Sequence, residues 1–161
     1  MDRKVKLHGI TLIEILVVLS IMAILLSIAV PQYTKWKKKY DYEYDIKQLY
    51  SIISDARMKS YLEKRVCGVF FGTSPFTNVE IKCDTDNDGD ITDAGSETIA
   101  TINLNKSFES SSSYVKFTDG IAKNLINVRP HNTITTFKQN CISISVTRIR
   151  IGNWDGTNCN Y

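Results

Sequence analysis

An apolar stretch near the amino terminus constrains this chain more than any other feature of its sequence. Residues 10–30 read ITLIEILVVLSIMAILLSIAV, and Glu14 is the only charged residue among them. As a helix this stretch would be about 32 Å long, at roughly 1.5 Å per residue. That length matches the hydrocarbon core of a bilayer, which is about 30 Å thick. The stretch therefore predicts a single membrane-spanning helix.

Two common explanations account for only part of this region. A secretory signal has a shorter apolar core followed by a small-residue cleavage site, whereas this stretch ends in Val30-Pro31-Gln32. A plain single-span anchor explains the length of the stretch and the basic residues before it. Neither explains Glu14, because a carboxylate at membrane depth is costly and usually has a function.

The basic leader, the stretch Gly9-Ile10-Thr11-Leu12-Ile13-Glu14 and the apolar helix together resemble the class III signal of type IV prepilins. The resemblance implies that prepilin peptidase cuts between Gly9 and Ile10 and methylates the new amino terminus, Ile10. Glu14 matches the glutamate of that family, and Pro31 lies where these helices commonly carry a kinking proline. A carboxylate buried between packed subunits favours a cation, which the terminal amine of a neighbour supplies. We therefore expect Glu14 to act in assembly.

Beyond Pro31 the sequence predicts that the helix continues. Apolar residues such as Trp36, Leu49 and Ile53 recur at spacings of two to four, and strand-like patterns begin only after Arg65. The expected fold class is α+β, a long amino-terminal helix packed against an antiparallel β-sheet head, which is the pilin fold. The expected segments are a cleaved leader (1–9), a transmembrane or filament-core helix (10–31), its amphipathic continuation (32–64) and a β-rich periplasmic head (65–161).

Several short runs in the head predict strands. They are residues 66–71, 79–83, 99–104, 114–117 and 134–137. Residues 141–151 (CISISVTRIRI) predict the clearest strand, in which Ile142 and Ile144 point one way and Ile149 and Ile151 the other. This change of parity predicts a β-bulge or a change of buried face.

All four cysteines, Cys67, Cys83, Cys141 and Cys159, follow the apolar stretch. An even number of cysteines in an exported domain predicts disulfides, with three possible pairings. We favour Cys67–Cys83 and Cys141–Cys159, because each pair brackets one strand-like stretch. A zinc site is not expected, since the sequence has no CxxC and only His131 follows the leader.

Charge is distributed unevenly along the head. Residues 66–100 carry one lysine against seven acids, a net −6, and residues 101–161 carry seven basic residues against three acids, a net +4. Such a pattern suits contacts with neighbouring subunits or a charged ligand.

Within the acidic region, residues 84–93 resemble the start of an EF-hand calcium loop. Alternating oxygen ligands with glycine at position six let a short loop enclose a calcium ion. The candidate ligands are Asp84, Asp86, Asp88, Asp90 and Asp93. Position twelve is Gly95 instead of glutamate, and Glu97 comes two residues late. The alternative is a solvated turn; no cofactor is required, and Ca²⁺ is the one candidate.

The stretch Thr147-Arg148-Ile149-Arg150 lies near the carboxyl terminus, ahead of Gly152 and Trp154. Together with the amino-terminal helix and the Asp/Asn/Gly loop, it is similar to the H-type minor pseudopilin and FimT family. In FimT-like minor pilins a Gly-Arg-x-Arg motif is tied to DNA binding in natural transformation. Thr147 replaces that glycine here.

Arg148 and Arg150 would share one side of a strand and could clamp successive phosphates of DNA. Arg129 and Lys138 would extend such a patch. The alternative is that the two arginines pair with acids of a neighbouring subunit or of the 84–97 loop.

The sequence predicts an assembled subunit and not an enzyme, because it has no Ser/His/Asp or Cys/His set and no glycine-rich phosphate loop. The resemblance implies a minor pilin or pseudopilin of a type II secretion pseudopilus or a type IV pilus. Its implied partners are other pilin subunits, prepilin peptidase, the inner-membrane assembly platform, the membrane, and DNA or a secreted substrate.

The expected location is the inner membrane, crossed once, with the amino terminus cytoplasmic before processing and the head periplasmic or on a filament. Two alternatives stay open: a FimT-like minor pilin that binds DNA, and a plain membrane-anchored periplasmic binding domain.

Overall fold

A computed structural model describes residues 11–131 and 139–161 of the chain. One helix, α1, spans Leu12–Glu63 and continues through Pro31. Thr11 caps its start, since the Thr11 hydroxyl oxygen accepts a hydrogen bond from the Glu14 backbone N–H at 3.3 Å. The chain divides into two compact units, Met1–Lys38 and Lys39–Tyr161. The second unit is called the head below.

In the described residues, nine strands follow the helix and form one antiparallel sheet in the order β5-β4-β1-β2-β3-β6-β7-β8-β9. Their bounds are β1 Cys67–Phe70, β2 Phe76–Asp84, β3 Ser96–Ser110, β4 Tyr114–Thr118, β5 Ile121–Ala122, β6 Ile126–Pro130, β7 Cys141–Ile144, β8 Ile149–Trp154 and β9 Cys159–Asn160. A long amino-terminal helix on an antiparallel sheet confirms the predicted fold class.

The head part of α1 packs on the sheet through one stripe of buried residues. Their spacing of three or four places them on one face of the helix; they are Tyr42, Asp45, Ile46, Leu49, Ile52, Ile53, Ala56 and Ser60. On the sheet side, alternate residues of the strands point inward, for example Val115 and Phe117 of β4 and Ile126 and Val128 of β6. Helix and sheet thus enclose a single apolar core.

The buried Asp45 connects α1 to β3. Its carboxylate, which is fully buried, accepts hydrogen bonds from the Asn105 side-chain amide at 2.9 Å and from the Lys106 backbone N–H at 2.8 Å. A buried carboxylate needs such donors, because burial without them is strongly unfavourable. This contact holds β3 in place along the helix.

The two ends of the sheet approach each other. The backbone N–H of Ala122 in β5 donates to the carbonyl oxygen of Val146, which lies in the turn between β7 and β8, at 3.0 Å. β5 and the β7–β8 pair are far apart in strand order. The sheet is therefore curved enough to bring its first strand against the turn near its other end.

Two disulfides, Cys67–Cys83 and Cys141–Cys159, stabilise the head, in the pairing that the sequence favours. The first joins directly opposed residues of β1 and β2. The second joins β7 to β9 across β8, where Gly152 lies opposite Cys141. A Cβ atom on Gly152 would lie 2.9 Å from the Cys159 Sγ and closer still to the Asn160 carbonyl oxygen, so this crossing requires a residue without a side chain.

The prediction of one strand over residues 141–151 is wrong. β7 and β8 form a hairpin, closed by the Ser145 backbone N–H, which donates to the Arg148 carbonyl oxygen at 2.8 Å. Ile144 pairs with Ile149, and Ile142 with Ile151. The change of parity in the sequence is therefore a reversal of the chain, because directly opposed residues of a hairpin share one face.

The other strand predictions agree in position with β1 to β4, although β2 and β3 are longer than expected. β5, β6 and β9 were not expected. The candidate strand over residues 134–137 lies outside the described residues.

Replacing Asp45 tests the contact between helix and sheet. Asp45→Ala is expected to lower the free energy of unfolding by about 1–3 kcal/mol, because two donors lose their acceptor. Asp55→Ala, at an exposed position of the same helix, is the control and should change it by less than about 0.5 kcal/mol. Urea unfolding followed by circular dichroism measures both, and equal losses would contradict the assignment.

Candidate functional site

The first part of α1 is apolar and uncovered. Between residues 11 and 34 Glu14 is the only charged residue, and large side chains such as Leu12, Leu19 and Ile28 are 78%, 56% and 63% exposed. By length and composition this helix could cross a membrane; its most apolar 18-residue window has a mean hydropathy of 2.8 and no buried residue. So large an apolar surface requires a lipid or protein environment.

Polar side chains in this part of the helix bond to the helix itself. The hydroxyl groups of Ser20 and Ser27 donate to the carbonyl oxygens of Leu16 and Ile24 at 2.8 and 2.7 Å. Such bonds remove the cost of placing a hydroxyl in an apolar medium. The Glu14 carboxylate has no cation beside it among the described residues, and the predicted cleavage site Gly9–Ile10 lies outside them.

In the head, Arg148 and Arg150 lie at the start of β8. The Ser145 hydroxyl also donates to the Arg148 carbonyl oxygen, at 3.0 Å, and so supports the tight turn that precedes the strand. Both arginines are exposed. The Arg150 guanidinium lies 4.9 Å from the centre of the Tyr161 ring. In the described part of the chain neither arginine pairs with an acid, so the alternative pairing with the chain's own 84–97 loop is not formed within one molecule.

The two arginines line a groove in the head with a volume of about 720 Å³. One wall comes from α1, one from the turn between β4 and β5, and one from the start of β8. Its lining residues are Tyr50, Ser54, Arg57, Met58, Tyr61, Asp119, Gly120, Ile121, Thr147, Arg148, Ile149 and Arg150. The sequence predicts only the β8 wall of this groove, through Arg148 and Arg150. The helix wall could have been inferred from Tyr50, Met58 and Tyr61, which are large apolar residues of α1 outside its buried stripe.

Hydrogen bonds from α1 hold the β4–β5 turn beside the groove. The Arg57 Nε donates to the Gly120 carbonyl oxygen at 2.7 Å, and the buried Ser60 hydroxyl donates to the Phe117 carbonyl oxygen at 2.9 Å. Gly120 has φ +74°, and a Cβ atom there would lie 3.3 Å from Tyr61. A glycine is favoured at this turn for both reasons.

Arg129 does not extend the arginine pair. Its guanidinium pairs with the Glu109 carboxylate at 2.9 Å and lies 4.8 Å from the centre of the Trp154 ring. His131 contacts the other Glu109 oxygen through Nδ1 at 2.6 Å. The hydrogen bond with His131, followed by that with Arg129, lowers the pKa of Glu109. Lys138, the other expected member of the patch, lies outside the described residues.

The acidic loop, residues 84–95, connects β2 to β3. At its start the buried Asp84 carboxylate accepts hydrogen bonds from the backbone N–H groups of Asn87 at 2.8 Å and Gly89 at 2.6 Å. Burial alone would raise the pKa of Asp84, but these hydrogen bonds outweigh it and lower the pKa below its ordinary value of 3.8. The backbone of the loop is thereby wrapped around one carboxylate.

The loop is also anchored to the sheet. Ile91 is fully buried and lies over Gly68 of β1, where a Cβ atom would come 2.5 Å from its Cδ1. The Lys116 ammonium donates to the Gly89 carbonyl oxygen at 3.0 Å. These two contacts anchor the middle of the loop to β1 and β4.

Three carboxylates of the loop are close enough to share a cation: one oxygen from each of Asp84, Asp86 and Asp88 lies within 4.8 Å of the others. A hydrogen bond from the Asp88 backbone N–H lowers the pKa of Asp86. Desolvation and the neighbouring carboxylates together have a larger, opposite effect, so the pKa of Asp86 is raised above its ordinary value. Gly95, at position twelve, lies against the Asp86 carboxylate and supplies no side-chain ligand. Calcium binding stays a prediction.

Asp84 is expected to stabilise the head through its two hydrogen bonds to the loop. Asp84→Ala should lower the free energy of unfolding by about 1–3 kcal/mol near neutral pH, and the exposed Asp93→Ala should have less effect. Because folding lowers the pKa of Asp84, its contribution is present above pH 3.8 and is lost as pH falls through the lower, folded-state pKa. Thermal unfolding of wild type and both variants over a range of pH measures this. The stability difference between wild type and Asp84→Ala should shrink below about pH 4, and a difference that does not change with pH would contradict the assignment.

Comparison with known proteins adds two matches. The family description "Prokaryotic N-terminal methylation motif" matches residues 6–30. Two crystal forms of the type IV minor pilin FimU of Pseudomonas aeruginosa share the fold. In one form, space group P21, the TM-score is 0.54 at 11% identity, over 72% of this chain and 91% of FimU. In the other, P65, it is 0.51 at 12% identity, over 68% and 90%. No curated protein gives a significant match.

Proposed function

We propose that this pilin-like chain, which joins the prepilin methylation motif to the pilin fold, is a minor pilin or pseudopilin that assembles into a filament. One observation carries the proposal: the methylation motif, residues 6–30, contains the uncovered apolar first part of α1, whose single carboxylate is Glu14. In the proposed precursor, prepilin peptidase cuts after Gly9 and methylates Ile10. The helix then leaves the bilayer and packs against the helices of neighbouring subunits.

The chemistry of this helix suits both environments. Its serine hydroxyls are bonded to its own backbone, so lipid and a bundle of helices are equally acceptable surroundings. The Glu14 carboxylate is the exception, because its charge needs a partner once water is excluded. In the proposed filament the methylated amine of Ile10 on a neighbour is that partner, and the pair sets the register between subunits.

The proposed location is the inner membrane, with the head on the periplasmic side. Two disulfides in the head support an oxidising compartment. The proposed partners are other pilin subunits, prepilin peptidase and the inner-membrane assembly platform. The likeness to FimU supports a type IV pilus. A type II secretion pseudopilus is the close alternative, because the resemblance of the amino-terminal sequence does not distinguish the two filaments.

A second candidate function is DNA capture by the head. It is favoured by the positions of Arg148 and Arg150, which line one groove and, in the described part of the chain, pair with no acid. Two arginines would bind phosphates weakly and lose affinity steeply with salt. Should prepilin peptidase leave Gly9 uncut, the remaining candidate is a plain membrane-anchored binding domain.

Cleavage after Gly9 is the first expectation to test. In cells with active prepilin peptidase, the mature chain should begin at N-methylated Ile10, and Gly9→Ala should block processing. Amino-terminal sequencing and intact mass measure both. Thr11→Ala, which alters the chain two residues beyond the bond, is the matched control and should be processed. A wild-type chain that still begins at Met1 would contradict the proposal.

Assembly through Glu14 is a separate expectation. Glu14→Gln should be cut and methylated normally, because the bond at Gly9 is unchanged, but its incorporation into sheared filaments should fall by about tenfold or more as the ion pair is lost. Quantitative immunoblots of the filament and membrane fractions measure this. Glu14→Asp keeps the charge and should retain part of the incorporation. Normal incorporation of Glu14→Gln would exclude the pairing with the Ile10 amine.

A further inference from the structure

The groove in the head carries arginine charges that, in residues 11–131 and 139–161, no acidic residue pairs with. Three arginines line it, Arg57, Arg148 and Arg150, and Asp119 is the only acid among its lining residues. Asp119 pairs with the Lys64 ammonium, which lies outside the groove lining, at 3.7 Å. Among the described residues, none of the three arginines forms an ion pair. The groove therefore favours an acidic occupant.

Apolar side chains surround these charges. Tyr50, Met58, Tyr61 and Ile121 line the groove and are between 38% and 57% exposed. A carboxylate that enters between them would be partly shielded from water, and its attraction to an arginine would exceed that of an open surface pair. The groove thus suits a narrow acidic segment that fits among apolar walls.

The acidic loop of the same protein has the complementary charge. Asp86, Asp88, Asp90 and Asp93 are exposed, and none of them forms an ion pair in the described part of the chain. Each instead accepts a hydrogen bond from a nearby backbone N–H of the loop. Because Ile91 and the hydrogen bonds to the Asp84 carboxylate anchor the loop to the head, binding it would cost less conformational entropy than binding a free segment.

Loop and groove occupy different faces of the head. Val69 points into the core under α1, so its neighbour Gly68, which Ile91 of the loop covers, faces the opposite side of the sheet. The groove is instead lined by α1 itself. A contact between them must therefore join two molecules. Such a contact is heterologous, because it joins two different surfaces of identical chains. A pair of copies therefore still has one free loop and one free groove.

We propose that the groove of one head binds the acidic loop of a second copy, with Arg148 and Arg150 donating hydrogen bonds to the loop carboxylates. The contact continues from copy to copy in one direction, as neighbouring heads along a filament require. This proposal rests on the proposed function in one respect: assembly into a filament brings copies of the chain together. Its test uses the full chain in detergent and needs no processing, so its failure is distinguishable from a failure of cleavage at Gly9.

The test compares two neutralised variants. The groove variant is Arg148→Ala with Arg150→Ala, and the loop variant is Asp88→Asn with Asp93→Asn. Wild-type chain is expected to associate with rising concentration. The association of each variant alone should be weaker by about tenfold or more. An equimolar mixture retains one intact groove and one intact loop, so it should form 1:1 dimers that do not grow further. Sedimentation velocity measures the species.

A matched control removes two exposed lysines outside the groove, Lys47→Ala with Lys123→Ala, and should associate like wild type. Higher salt should weaken the wild-type association, because exposed charge pairs are screened. Unchanged association of the groove variant would overturn the proposal. So would a mixture that stays monomeric. The groove variant is also tested for binding to a short single-stranded oligonucleotide. If it loses this binding but still self-associates, the proposal is overturned and the groove is assigned to DNA.

Discussion

The structure depends on one helix whose two parts need different surroundings. Up to Val30 the side chains of α1 are apolar except for Glu14, Ser20 and Ser27, and none of the described ones is buried, so this part requires lipid or other helices. From Tyr42 to Ser60 a stripe of the same helix is buried under the sheet. Because the hydrophobic effect drives both parts out of water, the protein is stable only where an apolar phase and a folded head are both available.

Within the head, hydrogen bonds from α1 determine where the strands lie along the helix. Asp45 holds β3, and Ser60 and Arg57 hold the β4–β5 turn. These bonds are directional, whereas apolar contacts are not, so they determine how the strands lie along the helix. The bond between Ala122 and Val146 then closes the sheet against its far turn, and the groove lies where these elements meet.

Much of this architecture could be predicted from local pattern. The helix, the first four strands and the disulfide pairing all leave periodic or spacing signals. The hairpin after Ile144 left only a change of parity, which did not identify a reversal. Its turn, Ser145-Val146-Thr147-Arg148, contains no glycine, proline, asparagine or aspartate to mark one. β5 and β9 are two residues each, too short for any alternation to register. Such elements exist because neighbouring strands offer them hydrogen bonds.

The sequence by itself determined the membrane-directed helix, the motif around Gly9 and the charge of each segment, since these properties depend on residues close together in the chain. Only the tertiary structure decided that Arg57, Gly120 and Arg148 border one groove, and that the acidic loop covers Gly68 on the other face. The physical reason is distance along the chain. Contacts between residues so far apart follow from how the sheet curves around α1, and that curvature is a property of the whole core.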